Sequence, residues 1–403
     1  MMNIEGWTNS SLISLLDGIK SGGTPNTSRS DFYGGEIPFV SIEDMSATRK
    51  YLQHTVKTLT KEGLKNSNTW LVPENSLLYS IYATLGLVRI SKVTLATNQA
   101  ILAMIVNPKV IDQEYLYYWL EYVRDSVINL SSQTTQSNLN ATTVKTFIVQ
   151  HPENKKEQEK IAEVLSTIDR TIAQTEAIIA KQQRIKTGLM QDLLTKGIDE
   201  NGNIRSEDTH EFKDSAIGRI PVEWDVETIG KIASLQRGHD IREVEFITGN
   251  YPVIASSGVI GFHNIRTSDS PNVVVGRKGS IGNVYYLDVD FWAHDTSLYV
   301  TNFFGNNQKY IYYLFLYLEL ERFGTKSGSP SLNRSDIHPL KIALPKPLEQ
   351  ERISKILTQF DTSISNLKSS LKKLQYQKTG LMQDLLTGKV RVTNLLKEKA
   401  AAN

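Results

Sequence analysis

Residues 187–195 read TGLMQDLLT (Thr187 to Thr195), and residues 379–387 read TGLMQDLLT again (Thr379 to Thr387). The offset is 379 − 187 = 192 residues. Upstream, EQEKIAEVLSTID (Glu157 to Asp169) matches EQERISKILTQFD (Glu349 to Asp361) at the same offset. Ahead of these lie further echoes, Leu139-Asn140 against Leu332-Asn333 and FIVQHP against IALPKP. Chance rarely places two such long matches in one register, and the shorter echoes lie within three residues of it, at 332 − 139 = 193 and 342 − 147 = 195. The chain is a tandem duplication, and the repeated unit governs the fold.

Each copy ends in a long helix. In the first, Ile161, Leu165, Ile168, Ile172, Thr175, Ile179, Gln182, Lys186, Leu189 and Leu193 fall at alternating steps of four and three. In the second, the same frame gives Ile353, Leu357, Phe360, Ile364, Leu367, Leu371, Leu374, Lys378, Leu381 and Leu385. That spacing keeps every residue on one seam, the heptad pattern of a coiled coil. Roughly 39 residues at ~1.5 Å each make a rod of about 58 Å. Each rod could pack on its own domain, but the seam is too long and regular for a small β domain to cover. The two rods are expected to pack on each other. Lys186 and Lys378 interrupt the seam at equivalent places, so each ammonium should snorkel outward or fix the register of the pair.

The segments before the helices differ in character. Residues 1–153 and roughly 212–346 are rich in Gly, Ser, Thr, Asn and aromatics, with short β-branched runs between turn signals, such as Ile37-Pro38-Phe39-Val40 and Asn272 to Val275. Aromatic helices are expected at Tyr115 to Val123 and Tyr310 to Leu320, their stripes serving as core. The polar stretch 197–218 reads as a linker. Within it Asp199-Glu200-Asn201-Gly202 faintly resembles a calcium loop but lacks the other ligands, so a turn is the better reading.

Composition excludes several classes of chemistry. With no cysteine, disulfides, thiolate zinc sites and cysteine nucleophiles are ruled out. The seven histidines show no ligand spacing, and no metal site is expected. There is no GxxxxGK[ST], no GxGxxG after a strand and no HExxH. The Asn/Asp-Pro-Pro-aromatic tetrapeptide of adenine methyltransferases is also missing; Asn107-Pro108-Lys109 is not it. No catalytic residue is therefore assigned. The first residues lack a signal-peptide pattern, and Tyr310 to Leu320 falls far short of the ~20 apolar residues of a membrane span, so a cytoplasmic protein without membrane association is expected. The formal charge of +2 does not by itself suggest nucleic acid.

The order domain–helix–domain–helix resembles the specificity subunits of Type I restriction-modification systems. Pro345, Glu349-Gln350 and Ile353 are similar to the family's P-x-x-E-Q-x-x-I lead-in to its spacer helix, and the two Gln-Asp-Leu-Leu-Thr runs to its exits. Gly218-Arg219-Ile220-Pro221 with Trp224, Ser21-Gly22-Gly23-Thr24-Pro25, the run Ile37 to Met45, and Asn98-Gln99 resemble its recognition-domain elements. The second domain departs from the pattern, with His294-Asp295-Thr296 where the first has Asn98-Gln99-Ala100, and no Gly-Gly-Thr-Pro. The resemblance implies an α+β fold in which two mostly-β target recognition domains alternate with two long helices packed as an antiparallel coiled coil with pseudo-two-fold symmetry. The expected boundaries are 1–153 and 219–346 for the domains, 154–196 and 347–390 for the helices, 197–218 for the linker and 391–403 for a tail.

The same resemblance implies a non-catalytic, DNA-reading subunit. Its partners would be double-stranded DNA with a bipartite site, two methyltransferase subunits and motor-nuclease subunits. The chain itself would hold no cofactor, S-adenosylmethionine and ATP being carried by those partners. Polar loops at the domain ends are the expected base readers, since amides and guanidinium groups match base edges in pairs of hydrogen bonds. In the first domain these are Thr24, Asn26, Arg29, Ser80, Tyr82 and Thr84, with the run Gln133, Thr134, Thr135, Gln136, Ser137 and Asn138. In the second they are Arg237, His239, Arg242, Arg277, Lys278, Ser280, Lys326, Ser327, Ser329 and Arg334. An ordinary solvated loop is the alternative for each. Leu139-Asn140 and Leu332-Asn333 recur in both copies and are assigned to structure. Two other classes compete: a coiled-coil scaffold whose β domains bind protein or carbohydrate, and a self-contained DNA-modifying enzyme. One continuous positive face on the named loops would count against the scaffold. Neither the half-sites nor the gap between them can be read from composition.

Overall fold

The computed structural model describes residues 4–132, 139–242, 245–325 and 330–396. Two helices dominate it, Lys155–Thr195 and Pro347–Leu386. The chain divides into two compact units, Met1–Thr175 with Ser370–Asn403, and Glu176–Ser369. Each unit therefore holds one β-rich domain, the first half of one long helix and the second half of the other. Every seam position is buried or half-buried, and the positions between are mostly exposed. The 3.5-residue repeat has found its partner.

The packing within each unit is antiparallel. In the first, Glu157 bonds Arg391 at 2.7 Å while Asp169, further along its helix, bonds Lys378 at 2.7 Å. Numbers rise on one strand of the rod as they fall on the other. In the second unit Lys186 pairs with Asp361 at 2.5 Å, which is the same contact shifted by 192 on both sides. The seam lysines are thus register pins, each held by a carboxylate across the interface. Tyr118 and Tyr313, from the aromatic helices, donate to the same two aspartates at 2.7 Å.

The Glu-Gln pair at the start of each long helix has a physical reason. Gln158 is fully buried, accepts from the Asp112 N–H at 2.7 Å and donates to the Pro152 carbonyl at 2.8 Å. Gln350 does the same with the Asn307 N–H and the Pro345 carbonyl. Asp112 and Asn307 are the caps of the aromatic helices, Gln113–Tyr122 and Gln308–Leu318, accepting from Tyr115 N–H and Tyr310 N–H. One glutamine thus ties strand, aromatic helix and rod together, and its loss would leave buried donors and acceptors unpaired. Tyr115, Tyr118, Tyr310 and Tyr313 are fully buried, as their core assignment requires.

The two domains share a topology that their sequences hide. In the first, strands Leu16–Ser21, Ile101–Val106, Leu77–Ser80 and Val88–Ser91 lie side by side in that order, with Tyr51–Leu52 added at the edge. In the second, Ser234–Arg237, Ser297–Asn302, Asn272–Gly276 and Val284–Leu287 form the same order. A three-stranded sheet accompanies each, with Tyr33–Val40 or Tyr251–Ala255 at its centre. The duplication therefore extends through the domains and is not confined to the helices.

Two segments are more structured than their composition suggests. The stretch 197–218 contains the buried Ile198 and Arg205, and its end joins the hairpin Phe212–Ser215 with Gly218–Pro221. Arg205 reaches Glu349 at 2.5 Å, and Trp224 Nε1 donates to the same carboxylate at 3.1 Å. Likewise Val392, just beyond the second helix, is buried in the first unit's core. The Asp199–Gly202 piece is a turn, Gly202 lying at φ +86° and Asp199 accepting from Asn203 N–H at 2.8 Å.

Candidate nucleic-acid interface

Three chain segments meet at one end of each central sheet. The first is the end of the leading strand. Arg237 pairs with Leu298 as Ser21 pairs with Leu102 in the other domain, so Ser21 and Arg237 are equivalent. Beyond them Gly22 and Gly238 cross beneath the second segment so closely that a Cβ would lie 1.7 Å from Thr97 O and 2.2 Å from His294 O respectively. Only glycine permits that approach.

The second segment is Asn98-Gln99-Ala100, or His294-Asp295-Thr296. Asn98 Oδ1 accepts from Ala100 N–H at 2.9 Å, and His294 Nδ1 accepts from Thr296 N–H at 3.3 Å. The asparagine and the histidine do the same turn-bracing work, which explains how the two sequences diverge while the backbone does not. The middle residue differs in what it offers. Gln99 Oε1 accepts from the Thr24 hydroxyl at 2.6 Å, whereas the Asp295 carboxylate accepts from Arg237 Nη2 at 2.8 Å.

The third segment is a hairpin tip. Gly86 N–H bonds Ser80 O at 3.0 Å, and Gly282 N–H bonds Gly276 O at 2.9 Å. Ile81 N–H bonds Ala100 O, and Arg277 N–H bonds Thr296 O. Residues 80–86 and 276–282 are therefore one hairpin in two copies. The sequence reading picked Ser80, Tyr82 and Thr84 from one copy and Arg277, Lys278 and Ser280 from the other without any sign that they correspond. Asn333 lines the cleft beside this cluster, and Asn140 and Asn333 are the caps of the one-turn helices Ala141–Lys145 and Arg334–Ile337, with Leu139 and Leu332 buried. Their structural assignment holds.

In the second unit four of the named residues converge, while Arg242, Lys278 and Ser280 are not part of the lining. Arg237, His239, Arg277 and Arg334 line one cleft of roughly 870 Å³. Among the described residues, Arg277, Lys278 and Arg334 make no ion pair; Arg277 Nη1 reaches the Asp295 carbonyl at 3.4 Å. Burial, and then the Arg334 charge, hold His338 below the ordinary histidine value, and its Nε2 accepts from Leu235 N–H at 2.9 Å. Ser280 is half-buried on the hairpin. Arg242 is turned back onto Glu245 at 2.7 Å and does not line the cleft.

The first unit is different. Tyr82 and Thr84 are exposed on the hairpin and Thr24 stands beside Gln99. Asn26 braces its own turn, accepting from Ser28 N–H at 3.0 Å. Arg29 is paired with Asp31 at 2.7 Å and lies over the Phe32 ring. Ser80 requires a correction: it is fully buried, accepts from Leu87 N–H at 2.9 Å and donates to Thr84 O, so its hydroxyl closes the hairpin and faces no ligand. Gln133, Thr134, Thr135, Gln136, Ser137, Asn138, Lys326, Ser327 and Ser329 lie outside the described residues. Among the described residues, the second unit's loops thus gather three arginines in one cleft, together with Asp240, whereas the first unit's named loops carry one cation, Arg29, paired with Asp31. Gln99 and Asp295 belong to this cluster, and Gln236, Asp240 and Ser335 line the cleft, although the sequence reading did not include them in its site. The signals for Gln99 and Asp295 in the sequence were the resemblance of Asn98-Gln99 to a recognition-domain element and the departure of HDT from NQA, which reads as divergence in the linear sequence.

Among the described residues, no group of three or more His, Asp or Glu is placed to hold a metal ion, and no helix is long and apolar enough to cross a membrane. The model of the Type I restriction modification DNA specificity domain matches residues 4–183 and 221–376. The chain belongs to that family. It is 26% identical to the Type I restriction enzyme MjaIX specificity subunit of Methanocaldococcus jannaschii, over 94% of this chain and 92% of the relative. It is 22% identical to the EcoprrI specificity subunit of Escherichia coli, over 89% and 90%. The crystal structure of the Type I restriction-modification S subunit from M. genitalium superposes with a TM-score of 0.61 over 96% of this chain and 97% of that one, at 20% identity. At that identity the likeness speaks for the fold, which is the two-domain, two-helix architecture of this family of specificity subunits.

Proposed function

We propose that this chain is the sequence-reading subunit of a Type I restriction-modification complex, each recognition domain reading one half of a bipartite, asymmetric site in double-stranded DNA. The observation that carries the reading is the cleft of Arg237, His239, Arg277 and Arg334, built on the same backbone frame as the polar hairpin of the first domain. Guanidinium groups match paired acceptors on base edges, and a cleft that gathers three of them against one carboxylate, Asp240, suits a polyanion. Two equivalent frames bearing different side chains suit a target whose halves differ. The rod would set the unread gap between the halves, as dimer geometry sets half-site spacing elsewhere.

In this reading the boundaries follow the sequence: recognition domains over 1–153 and 219–346, spacer helices between. The repeated helices offer equivalent surfaces for two methyltransferase subunits, and motor-nuclease subunits would join for cleavage. S-adenosylmethionine and ATP would sit on those partners, in the cytoplasm, and this chain would contribute address and not catalysis.

The test is a genome-wide map of N6-methyladenine in the source cells with and without this gene. Loss of methylation at one bipartite, asymmetric motif on deletion is the expected result. Unchanged methylation in cells that make the protein would remove the reading and bring the scaffold alternative forward.

A further inference from the structure

The two recognition domains present the same frame with opposite chemistry at four equivalent positions. Ser21 stands where the second domain has Arg237, by their shared strand register. Ile81 stands where it has Arg277, by their shared hairpin bond. Ala141 stands where it has Arg334, each following the asparagine cap of a one-turn helix. Gln99 stands where it has Asp295. Three arginines in one domain are thus a serine, an isoleucine and an alanine in the other.

From this juxtaposition, and resting on the DNA-reading function proposed above, we infer that the second domain's half-site contains guanine, read by Arg237 and Arg277, with Asp295 as the positioning residue. Guanine O6 and N7 accept two parallel N–H bonds from one guanidinium, and this is the commonest specific base contact. Such a contact needs the long side chain held still before it docks. Asp295 does this on both sides: its carboxylate takes Arg237 Nη2 at 2.8 Å, and its backbone carbonyl takes Arg277 Nη1 at 3.4 Å. One bond to the carboxylate leaves most of the five N–H donors of Arg237 free for a base.

A purely structural role for the Arg237–Asp295 pair is the weaker reading. The Arg237 side chain is 54% exposed, and ion pairs that open to water add little to stability. Selection for a stable fold gives no reason to gather three arginines on one cleft. Asp240 lines the cleft and Asp295 holds Arg237 beside it, and carboxylates so placed count against simple phosphate attraction, since they weaken binding to any backbone. Lower general affinity and better discrimination together are what a base-reading arginine requires. The first domain, with Ser21, Ile81 and Ala141 at the three positions, reads its half without arginine there, and its Gln99 amide and Thr24 hydroxyl stand in the corresponding place.

The experiment uses the complete complex in cells and as purified assembly. Methylation motifs are mapped for Asp295→Ala, Arg277→Ala and Arg237→Lys. The lysine variant keeps the charge at a half-exposed site and removes only the fork, so folding is not at issue. The expected result is relaxation at guanine positions confined to one half of the motif, with discrimination falling roughly 5- to 150-fold at each affected position. The probe for general affinity is a duplex of A·T pairs only. Asp295→Ala should bind it as tightly as the parent or tighter, and Arg237→Lys within about twofold. A motif unchanged in all three variants, or relaxed in both halves, overturns the inference. So does a parent motif with no G·C pair in the half that responds. Those outcomes leave the DNA-reading function standing, because that function fails only if deletion of the gene leaves methylation untouched.

Discussion

His338 shows how a single side chain on the recognition frame can couple fold to solution conditions. It packs beside Gly230, its Nε2 accepts the Leu235 N–H, and burial together with Arg334 holds its pKa below 6.5. An imidazole whose Nε2 accepts must be neutral at that nitrogen. The sign then follows. The unfolded chain binds the proton more readily than the folded one, so stability rises with pH between the lowered folded value and 6.5, and is lost as pH falls through that window. Leu235 lies on the strand that delivers Arg237 and Gly238, so protonation strikes the frame of the cleft itself. The urea midpoint of the second unit should fall between about pH 8 and about pH 5.5, and His338→Gln should flatten that fall. An equally steep fall in the variant would assign the dependence to other groups.

At the scale of elements, the rod is pinned by polar contacts at set points along an apolar seam. Asp169 accepts from both Lys378 and Tyr118, and Asp361 from both Lys186 and Tyr313. The lysine joins helix to helix and the tyrosine joins domain to helix, so one carboxylate fixes both. Lys378 and Asp169 are each about a quarter exposed (24% and 25%), which places the pair between exposed pairs worth under ~1 kcal/mol and buried ones whose rupture costs several. Lys378→Met should cost about 1–2 kcal/mol by urea unfolding. Tyr118→Phe should be non-additive with it by about 0.5 kcal/mol or more, because both partners act on one carboxylate. Strict additivity would mean the two contacts are independent.

The same elements explain what the sequence could disclose. The helices were legible residue by residue, Ile161 through Leu193 and Ile353 through Leu385, because a heptad seam tolerates no insertion and so preserves a fixed offset. Gln158 and Gln350 were visible as a motif, although their reason, a bond to the cap of the aromatic helix, lies in the fold. The recognition frames were not legible as copies. Ile81 and Arg277 are 277 − 81 = 196 apart and Ser21 and Arg237 are 237 − 21 = 216 apart, against 192 in the helices. Loops lengthen at little cost, and each insertion breaks the register that reveals a repeat. Ser80 was misplaced for a related reason: a serine in a turn is as often closing it as displaying its hydroxyl.

For the whole molecule, the repeated nonapeptide acquires a meaning that the linear sequence conceals. Leu193 and Leu194, from the first copy, lie in the core of the second domain, whereas Leu385 and Leu386, from the second copy, lie in the core of the first. Each recognition core is therefore closed by the start of one long helix and the end of the other. Both copies must fit the same kind of groove, formed where an aromatic helix meets the lead-in of a spacer, and this is a physical reason for their identity. Exchange of domains between relatives is constrained accordingly. A chimera that replaces only residues 4–153 sets a foreign core against Ile161, Leu165, Leu385, Leu386 and Val392, where each mismatched buried side chain costs about 1–3 kcal/mol. Exchange of 4–175 together with 370–396 carries Ile161, Ala162 and Leu165 as well as Leu385, Leu386 and Val392, and so restores the native partners. The paired exchange should therefore unfold at a higher temperature than the single one. Under the proposed function, whichever chimera folds should carry a methylation motif altered in one half and unchanged in the other, since Arg237, Arg277 and Asp295 remain with the untouched domain. Equal stability of the two chimeras would show that the identical nonapeptides alone suffice to seal a foreign core, and the crosswise packing would then limit domain exchange far less than burial suggests.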